Sequence, residues 1–140
     1  MGMKDFGPTI LRIFVGIIYV MHSYLALFVF TPAGTAAFMG NVGLPAPVLM
    51  AWIVIVGHGL GGIMLILGLW TRWAAAANTV IMLVALVKVH LPQSFFMKGI
   101  ILDPAAGRAG AAGYEFVLLL LGATVALILT GGGALGVRPE

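Results

Sequence analysis

Four long apolar stretches govern what this chain can fold into. They cover approximately residues 9–30, 47–69, 73–90 and 113–130, and glycine, proline or charged residues separate them. A helix needs about 20 mostly apolar residues to cross a bilayer, and a spanning segment must satisfy its own backbone polar groups. We therefore predict an all-α integral membrane protein, a four-helix transmembrane bundle formed by one domain over residues 1–140.

The composition supports this prediction and excludes several other classes. Only 8% of the 140 residues are charged and 62% are hydrophobic, whereas soluble domains carry about 25% charged residues. The chain has no cysteine, which excludes a disulfide framework and cysteine-ligated iron–sulfur or zinc sites. Its few basic residues are scattered, so we expect contact with a lipid bilayer and no nucleic-acid partner.

Basic residues near the span ends indicate the orientation. An even number of spans puts both termini on one side. That side carries Lys4, Arg12, Arg72 and Arg138, whereas the other carries Lys88, Lys98 and Arg108. Because positive residues are retained inside, we predict a bacterial inner-membrane protein with both termini and the Arg72 turn in the cytoplasm. The first span exceeds the apolar core of about 7–15 residues of a signal peptide, so we expect no cleavage.

Ionisable residues inside the spans mark a candidate site. Each costs about 2.5–3.5 kcal/mol on insertion scales, so each calls for a reason. Counting from the outer span ends at about 1.5 Å per residue places one such residue from every span between the outer surface and the midplane. These four residues are His22, His58, His90 and Glu115. We predict that they share a cavity, with Tyr19 and Tyr114 as polar neighbours.

Each of these residues also has a simpler structural explanation. His90 and two further ionisable residues of the spans, Arg12 and Lys88, lie near span ends, where long or amphipathic side chains can reach the headgroups. Glu115 can complement the helix dipole in the first turn of the fourth span. His22 and His58 can remain neutral and bond to a nearby carbonyl or tyrosine.

Glycines on the second span indicate close helix packing. Gly57, Gly61 and Gly68 lie on nearly one face, at spacings of four and seven residues. Small residues let membrane helices approach closely. The face is explained either by packing within the bundle or by contact with a second copy in a homo-oligomer.

Five short motifs follow one another from Leu11 to about Gly133. They are residues 11–16 (LRIFVG) followed by His22, residues 43–45 (GLP), residues 61–72 (GGIMLILGLWTR), residues 90–92 (HLP) with Phe95-Phe96, and residues 113–116 (GYEF). In this order and spacing they resemble the DoxX family of small four-span bacterial membrane proteins. The resemblance implies a subunit of a membrane redox system, since relatives are linked to thiosulfate:quinone oxidoreductase or to redox-homeostasis assemblies.

Two positions depart from the pattern of the family. The family usually carries a glutamate a few residues before Gly61, where this chain has His58. The family also often continues the first span past its histidine with a basic residue and a glycine, where this chain has Ser23-Tyr24-Leu25. The roles of site residues in the family therefore carry over to this chain only at positions where its residues match the family's pattern.

Several functions are compatible with these features. The first is a membrane subunit of a quinone-linked oxidoreductase, because a quinone needs an apolar slot and groups that move protons. Its predicted catalytic residues are His22, His58 and Glu115, and its predicted cofactor-binding residues are Tyr19, His90 and Tyr114. The second is a non-catalytic accessory or assembly subunit of a larger membrane complex. Haem or metal binding, transport and lipid binding are further alternatives, and no residue is predicted as a metal ligand.

Overall fold

The computed structural model describes residues 2–93, 95–96 and 113–137, and in this part of the chain every regular element is a helix. The helices are α1 (Met3–Tyr24), α2 (Thr31–Asn41), α3 (Pro47–Leu67), α4 (Thr71–Ala85) and α5 (Glu115–Thr130). The predicted all-α class is confirmed. Three of the basic residues behind the predicted orientation, Lys98, Arg108 and Arg138, lie outside the described residues.

Three helical segments are long and apolar enough to cross a membrane. Helix α1 continues through a π-helical turn at Leu25–Val29, and α4 continues through another at Leu86–His90. The spanning segments are therefore Met3–Val29, Pro47–Leu67 and Thr71–His90. The chain is a multi-pass membrane protein, and its exposed apolar side chains contact the bilayer.

Helix α5 is shorter, with 16 residues, but it reaches from one end of the bundle to the other. Its first amide, at Glu115, donates to the carbonyl of Phe95 at 3.0 Å, just beyond the end of α4. Past its last turn, the carbonyl of Gly132 accepts a 2.9 Å hydrogen bond from Arg12 in the first turns of α1. Helix α5 lies within the stretch of the fourth predicted span, and its crossing of the bilayer remains a prediction.

The boundaries of the first helix and the first connection differ from the prediction. Helix α1 begins at Met3, before Pro8, because the Asp5 carboxylate accepts from the Gly2 amide at 2.7 Å and caps the first turn. The connection predicted between the first two spans contains α2. Pro32 lies in its first turn, where a missing N–H costs little, and the Thr35 hydroxyl donates to the carbonyl of Ala26 at 2.9 Å.

Helices α1 and α3 meet through glycine. A Cβ atom built on Gly16 would lie 2.7 Å from the carbonyl oxygen of Gly62, and one built on Gly62 would lie 2.8 Å from that of Gly16. Further along the same interface, the Ser23 hydroxyl donates to the carbonyl of Ile55 at 2.7 Å. The two backbones therefore touch at a point that only glycine permits.

Helices α3 and α4 are antiparallel neighbours, as the short connection predicts. Gly68 ends α3 with φ of +68°, a conformation that favours glycine, and α4 begins at Thr71. The other two glycines of the predicted face also pack inside the chain, since Cβ atoms on Gly57 and Gly61 would strike Ile81 and Asn78 of α4. The structure thus uses this face for packing within the bundle.

Arg12 lies at the opposite end of the bundle from His90 and is buried, with 2% of its surface exposed. Its guanidinium donates to four backbone carbonyls. The acceptors are Leu65 at 2.9 Å, Ile66, Gly132 at 2.9 Å and Leu135 at 3.0 Å. The expectation that this side chain reaches the headgroups is wrong, because backbone carbonyls at the end of α3 and in the segment after α5 bind it inside the protein.

The C-terminal segment, residues 131–137, closes the same end of the bundle. The Ala134 amide donates to the carbonyl of Asp5 at 2.9 Å, and the Val137 amide donates to that of Leu67 at 3.0 Å. The segment therefore joins the start of α1 to the end of α3.

Candidate functional site

A buried polar layer crosses the middle of the bundle with one residue from each long helix. Tyr19 of α1, His58 of α3, Asn78 of α4 and Thr124 of α5 are all buried, and three of them have no exposed surface. His58 retains 6% exposure. Its ring stacks on that of Tyr19, with centroids 4.8 Å apart and planes 18° from parallel.

Asn78 determines which nitrogen of His58 carries a hydrogen. The Asn78 amide nitrogen donates to the carbonyls of Gly57 at 3.2 Å and Ala74 at 3.0 Å. Its amide oxygen therefore faces His58 Nδ1, 2.7 Å away. Because this oxygen can only accept, Nδ1 of a neutral His58 carries the hydrogen, and Nε2 carries the lone pair.

The Tyr19 hydroxyl is occupied inside the same layer. The Thr124 hydroxyl donates to the carbonyl of Leu120 at 2.7 Å. It therefore accepts the hydrogen bond that joins it to the Tyr19 hydroxyl at 2.6 Å. A tyrosine and a threonine are thus both satisfied in an apolar interior, where an unpaired hydroxyl is costly.

His22 lies one turn beyond Tyr19 on α1 and is held in the same tautomer as His58. Its Nδ1 is 2.9 Å from the carbonyl oxygen of Ile18, which can only accept. Its ring centroid lies 6.3 Å from that of His58 and 6.4 Å from that of Phe116. Two neutral imidazoles therefore have Nδ1 bound to the protein and Nε2 left for another partner.

Both imidazoles line a cavity of about 310 Å³. This is near the lower end of the range of about 300–1,000 Å³ that small-molecule sites occupy. The described lining residues are Tyr19, His22, His58, Met82, Ala85, His90, Gly113, Phe116, Val117 and Leu120. The cavity is mostly apolar, with its polar groups on a few side chains, as binding sites for small apolar rings are.

The residues that form this site lie largely inside a region that matches a known family. The family model named DoxX matches residues 7–91, well over half of the chain. The chain belongs to the DoxX family. The matched region contains Tyr19, His22, His58, Asn78 and His90, and it ends before α5.

One curated relative of this DoxX chain also matches. The chain is 29% identical over 135 residues to "Putative oxidoreductase CatD" of Bacillus subtilis (strain 168). The alignment covers 96% of this chain and 87% of the relative. No solved structure matches the chain.

The structure brings four of the six predicted site residues of the DoxX chain to one cavity. These are Tyr19, His22, His58 and His90. Glu115 and Tyr114 are half-buried and stand between the lining residues Gly113 and Phe116 along the chain, but neither is among the described lining residues. The ring of Tyr114 meets that of Phe95 edge to face, with centroids 5.1 Å apart.

A metal site formed by the three histidines and Glu115 would need at least three of these side chains close together. Among residues 2–93, 95–96 and 113–137, no group of three or more histidine or carboxylate side chains is placed to hold a metal ion. The described structure instead pairs two imidazoles, His22 and His58, at one apolar cavity.

Sequence inspection missed Asn78 and Thr124 because it searched for ionisable groups. Both are neutral polar residues inside otherwise apolar helices. A polar side chain in a membrane interior needs a hydrogen-bond partner, so each predicts a buried contact by itself. That signal was present, but the sequence does not say which helix supplies the partner.

Proposed function

We propose that this DoxX chain is the membrane subunit of a quinone-linked oxidoreductase and that its cavity binds the quinone head group. The observation that supports this most is the pair of imidazoles, His22 and His58, whose Nε2 atoms are left for a ligand at an apolar cavity of ring size. The name of the Bacillus subtilis relative, "Putative oxidoreductase CatD", is consistent with this class of activity.

Proton transfer is the part of the reaction that the chain's own residues can perform. Conversion of a quinol to a quinone releases two electrons and two protons. His58 and His22 accept the protons at Nε2, since each is a neutral base in reach of the cavity. The two electrons pass to a partner subunit that carries its own redox cofactor. In the reverse reaction, the quinone takes its two electrons from that subunit and its two protons from the two histidines.

Glu115, Tyr114 and His90 complete the proposed site at the outer end. His90 lies at the end of the π-helical turn that extends α4 and lines the cavity. We place Glu115 as a proton-exchanging carboxylate and Tyr114 as a neighbour of the head group, because both adjoin lining residues in the chain. The domain as a whole is proposed to lie in a bacterial inner membrane with both termini in the cytoplasm.

Equilibrium binding of a tail-free quinone tests the proposal. The purified protein in lipid nanodiscs is titrated anaerobically with duroquinone and with duroquinol. We expect saturable binding of at least one form, weakened about tenfold or more by His58→Leu, which removes one hydrogen-bonding group. The matched control is Thr79→Val on α4, whose hydroxyl donates to the carbonyl of Ala75 and which is not among the lining residues.

Two results contradict the proposed function. One is a folded protein that binds neither form. The other is a His58→Leu variant that binds as tightly as the unchanged protein. Either result favours the accessory or assembly subunit, in which the polar layer holds the helices together.

A further inference from the structure

We propose that Asn78 is a positioning residue that holds His58 Nε2 as a hydrogen-bond acceptor, so that the cavity prefers the quinol over the quinone. The inference rests on the proposed function, because it names the redox form that the same cavity selects. Asn78, on α4, acts on the ligand only by orienting His58, which lies on α3.

Only one orientation of the Asn78 amide satisfies the hydrogen-bonding groups around it. Two carbonyl oxygens, of Gly57 and Ala74, surround one end of the amide. A rotated amide would place its own oxygen against those carbonyls and leave three acceptors facing one another. Because Asn78 has no exposed surface, water cannot relieve that arrangement, and an unpaired buried polar group is costly.

The glycines of α3 make this contact possible. A Cβ atom on Gly61 would collide with the Asn78 amide nitrogen, and the Gly57 carbonyl accepts from that nitrogen. His58 lies between these two glycines in the sequence. The segment Gly57–Gly61 therefore supplies the imidazole, one acceptor and the space for the residue that orients the imidazole.

The donors of the polar layer are all committed. Asn78 uses both amide hydrogens, His58 uses Nδ1–H, Tyr19 donates to Thr124, and Thr124 donates to a backbone carbonyl. Within these four residues, the group left for a ligand is the lone pair of His58 Nε2. A quinol hydroxyl can donate to this lone pair, whereas a quinone carbonyl would face it with lone pairs of its own.

His22 strengthens the same preference. Its Nδ1 is bound to the carbonyl oxygen of Ile18, so a neutral His22 also has an acceptor at Nε2. The cavity thus offers two hydrogen-bond acceptors, and a quinol has two hydroxyl groups that can donate to them. The ring nitrogens that the protein leaves open thus favour the donor form of the ligand.

The tautomer of His58 is measured directly by ¹⁵N NMR of the full chain in nanodiscs, at mildly alkaline pH, where imidazole is neutral. His58→Leu assigns the signal. We expect the Nδ1–H tautomer to dominate in the unchanged protein and in Thr79→Val. Asn78→Leu should lose this dominance, and Gly61→Ala should do so as well, because its Cβ displaces the amide. A dominant Nε2–H tautomer in the unchanged protein overturns the inference without any variant.

The binding preference is the second measurement. We expect the unchanged protein to bind duroquinol at least about tenfold more tightly than duroquinone, and the ratio in Asn78→Leu to fall below about threefold. Equal affinities in the unchanged protein, or an unchanged ratio in Asn78→Leu, overturn the inference and leave the proposed function standing. If neither form binds, the proposed function and the preference both fail, whatever the tautomer of His58.

Discussion

Four backbone carbonyls around one guanidinium explain how Arg12 is stable inside the bundle. Two belong to the last turn of α3, at Leu65 and Ile66, where the helix dipole is negative. Two belong to the C-terminal segment, at Gly132 and Leu135. A single side chain therefore fastens α1 to two other parts of the chain, and its positive charge is met by oriented peptide dipoles.

Replacement of Arg12 should destabilise the protein strongly. We expect Arg12→Gln to lower the free energy of unfolding in detergent by on the order of 3 kcal/mol, since hydrogen bonds to charged groups contribute about 1.5–3 kcal/mol each. Lys4→Gln is the control, because it removes a positive charge from an exposed residue in the first turns of α1. Equal, small losses in both variants would show that the buried contacts contribute little.

The hydroxyl pair of Tyr19 and Thr124 is the second residue-scale test. It joins α1 to α5 at 2.6 Å within the polar layer. In a double-mutant cycle with Tyr19→Phe and Thr124→Val, we expect a coupling energy of about 0.6 kcal/mol, with about 1.7 kcal/mol as the upper bound for such membrane contacts. Strictly additive losses in thermal unfolding would contradict the bond.

Among the helices, the contact of α1 with α3 depends on the absence of two side chains. A Cβ on Gly62 would lie 2.8 Å from the Gly16 carbonyl oxygen and 2.9 Å from the Val20 amide nitrogen. Backbone atoms cannot rotate away as a side chain can, so the helices must separate. We expect Gly62→Ala to lower the unfolding temperature clearly more than Gly122→Ala does.

Gly122 is a matched control because it also lies within a helix, α5, and an added Cβ would meet nothing within 4 Å. Alanine is favoured over glycine in a helix by about 1 kcal/mol, so Gly122→Ala should be neutral or stabilising. If both variants unfold at the same temperature, the close approach of α1 and α3 does not limit stability.

At the scale of the whole molecule, α1 and α4 run in the same direction, and α5 returns to the start of α1. Lys4 and Gln93 are therefore exposed at opposite ends of the bundle. The chain has no cysteine, so a single introduced cysteine reports one position. With the proposed orientation, an impermeant thiol reagent applied to intact cells should label Gln93→Cys and leave Lys4→Cys unlabelled until the membrane is permeabilised. The opposite pattern reverses the proposed topology.

The sequence by itself determined the class of this protein. Apolar stretches of about 20 residues leave a chain no soluble alternative, so the all-α membrane bundle followed from composition and from the length of these stretches. The antiparallel pair α3 and α4 followed from the tight turn around Trp70–Arg72, which is too short for any other arrangement. His22 and His58 were identified from the cost of placing an ionisable group in an apolar span.

Only the tertiary structure decided how these residues are satisfied. Depth along a helix follows from residue number, but rotation and neighbours depend on packing against other helices. The sequence predicts that Glu115 shares a cavity with His58, and this stays a prediction. It could not predict that Tyr19 stacks on the His58 ring or that Asn78 orients that ring. Arg12 was assigned to the headgroups for the same reason, because its four carbonyl acceptors come from segments more than fifty positions away in the chain.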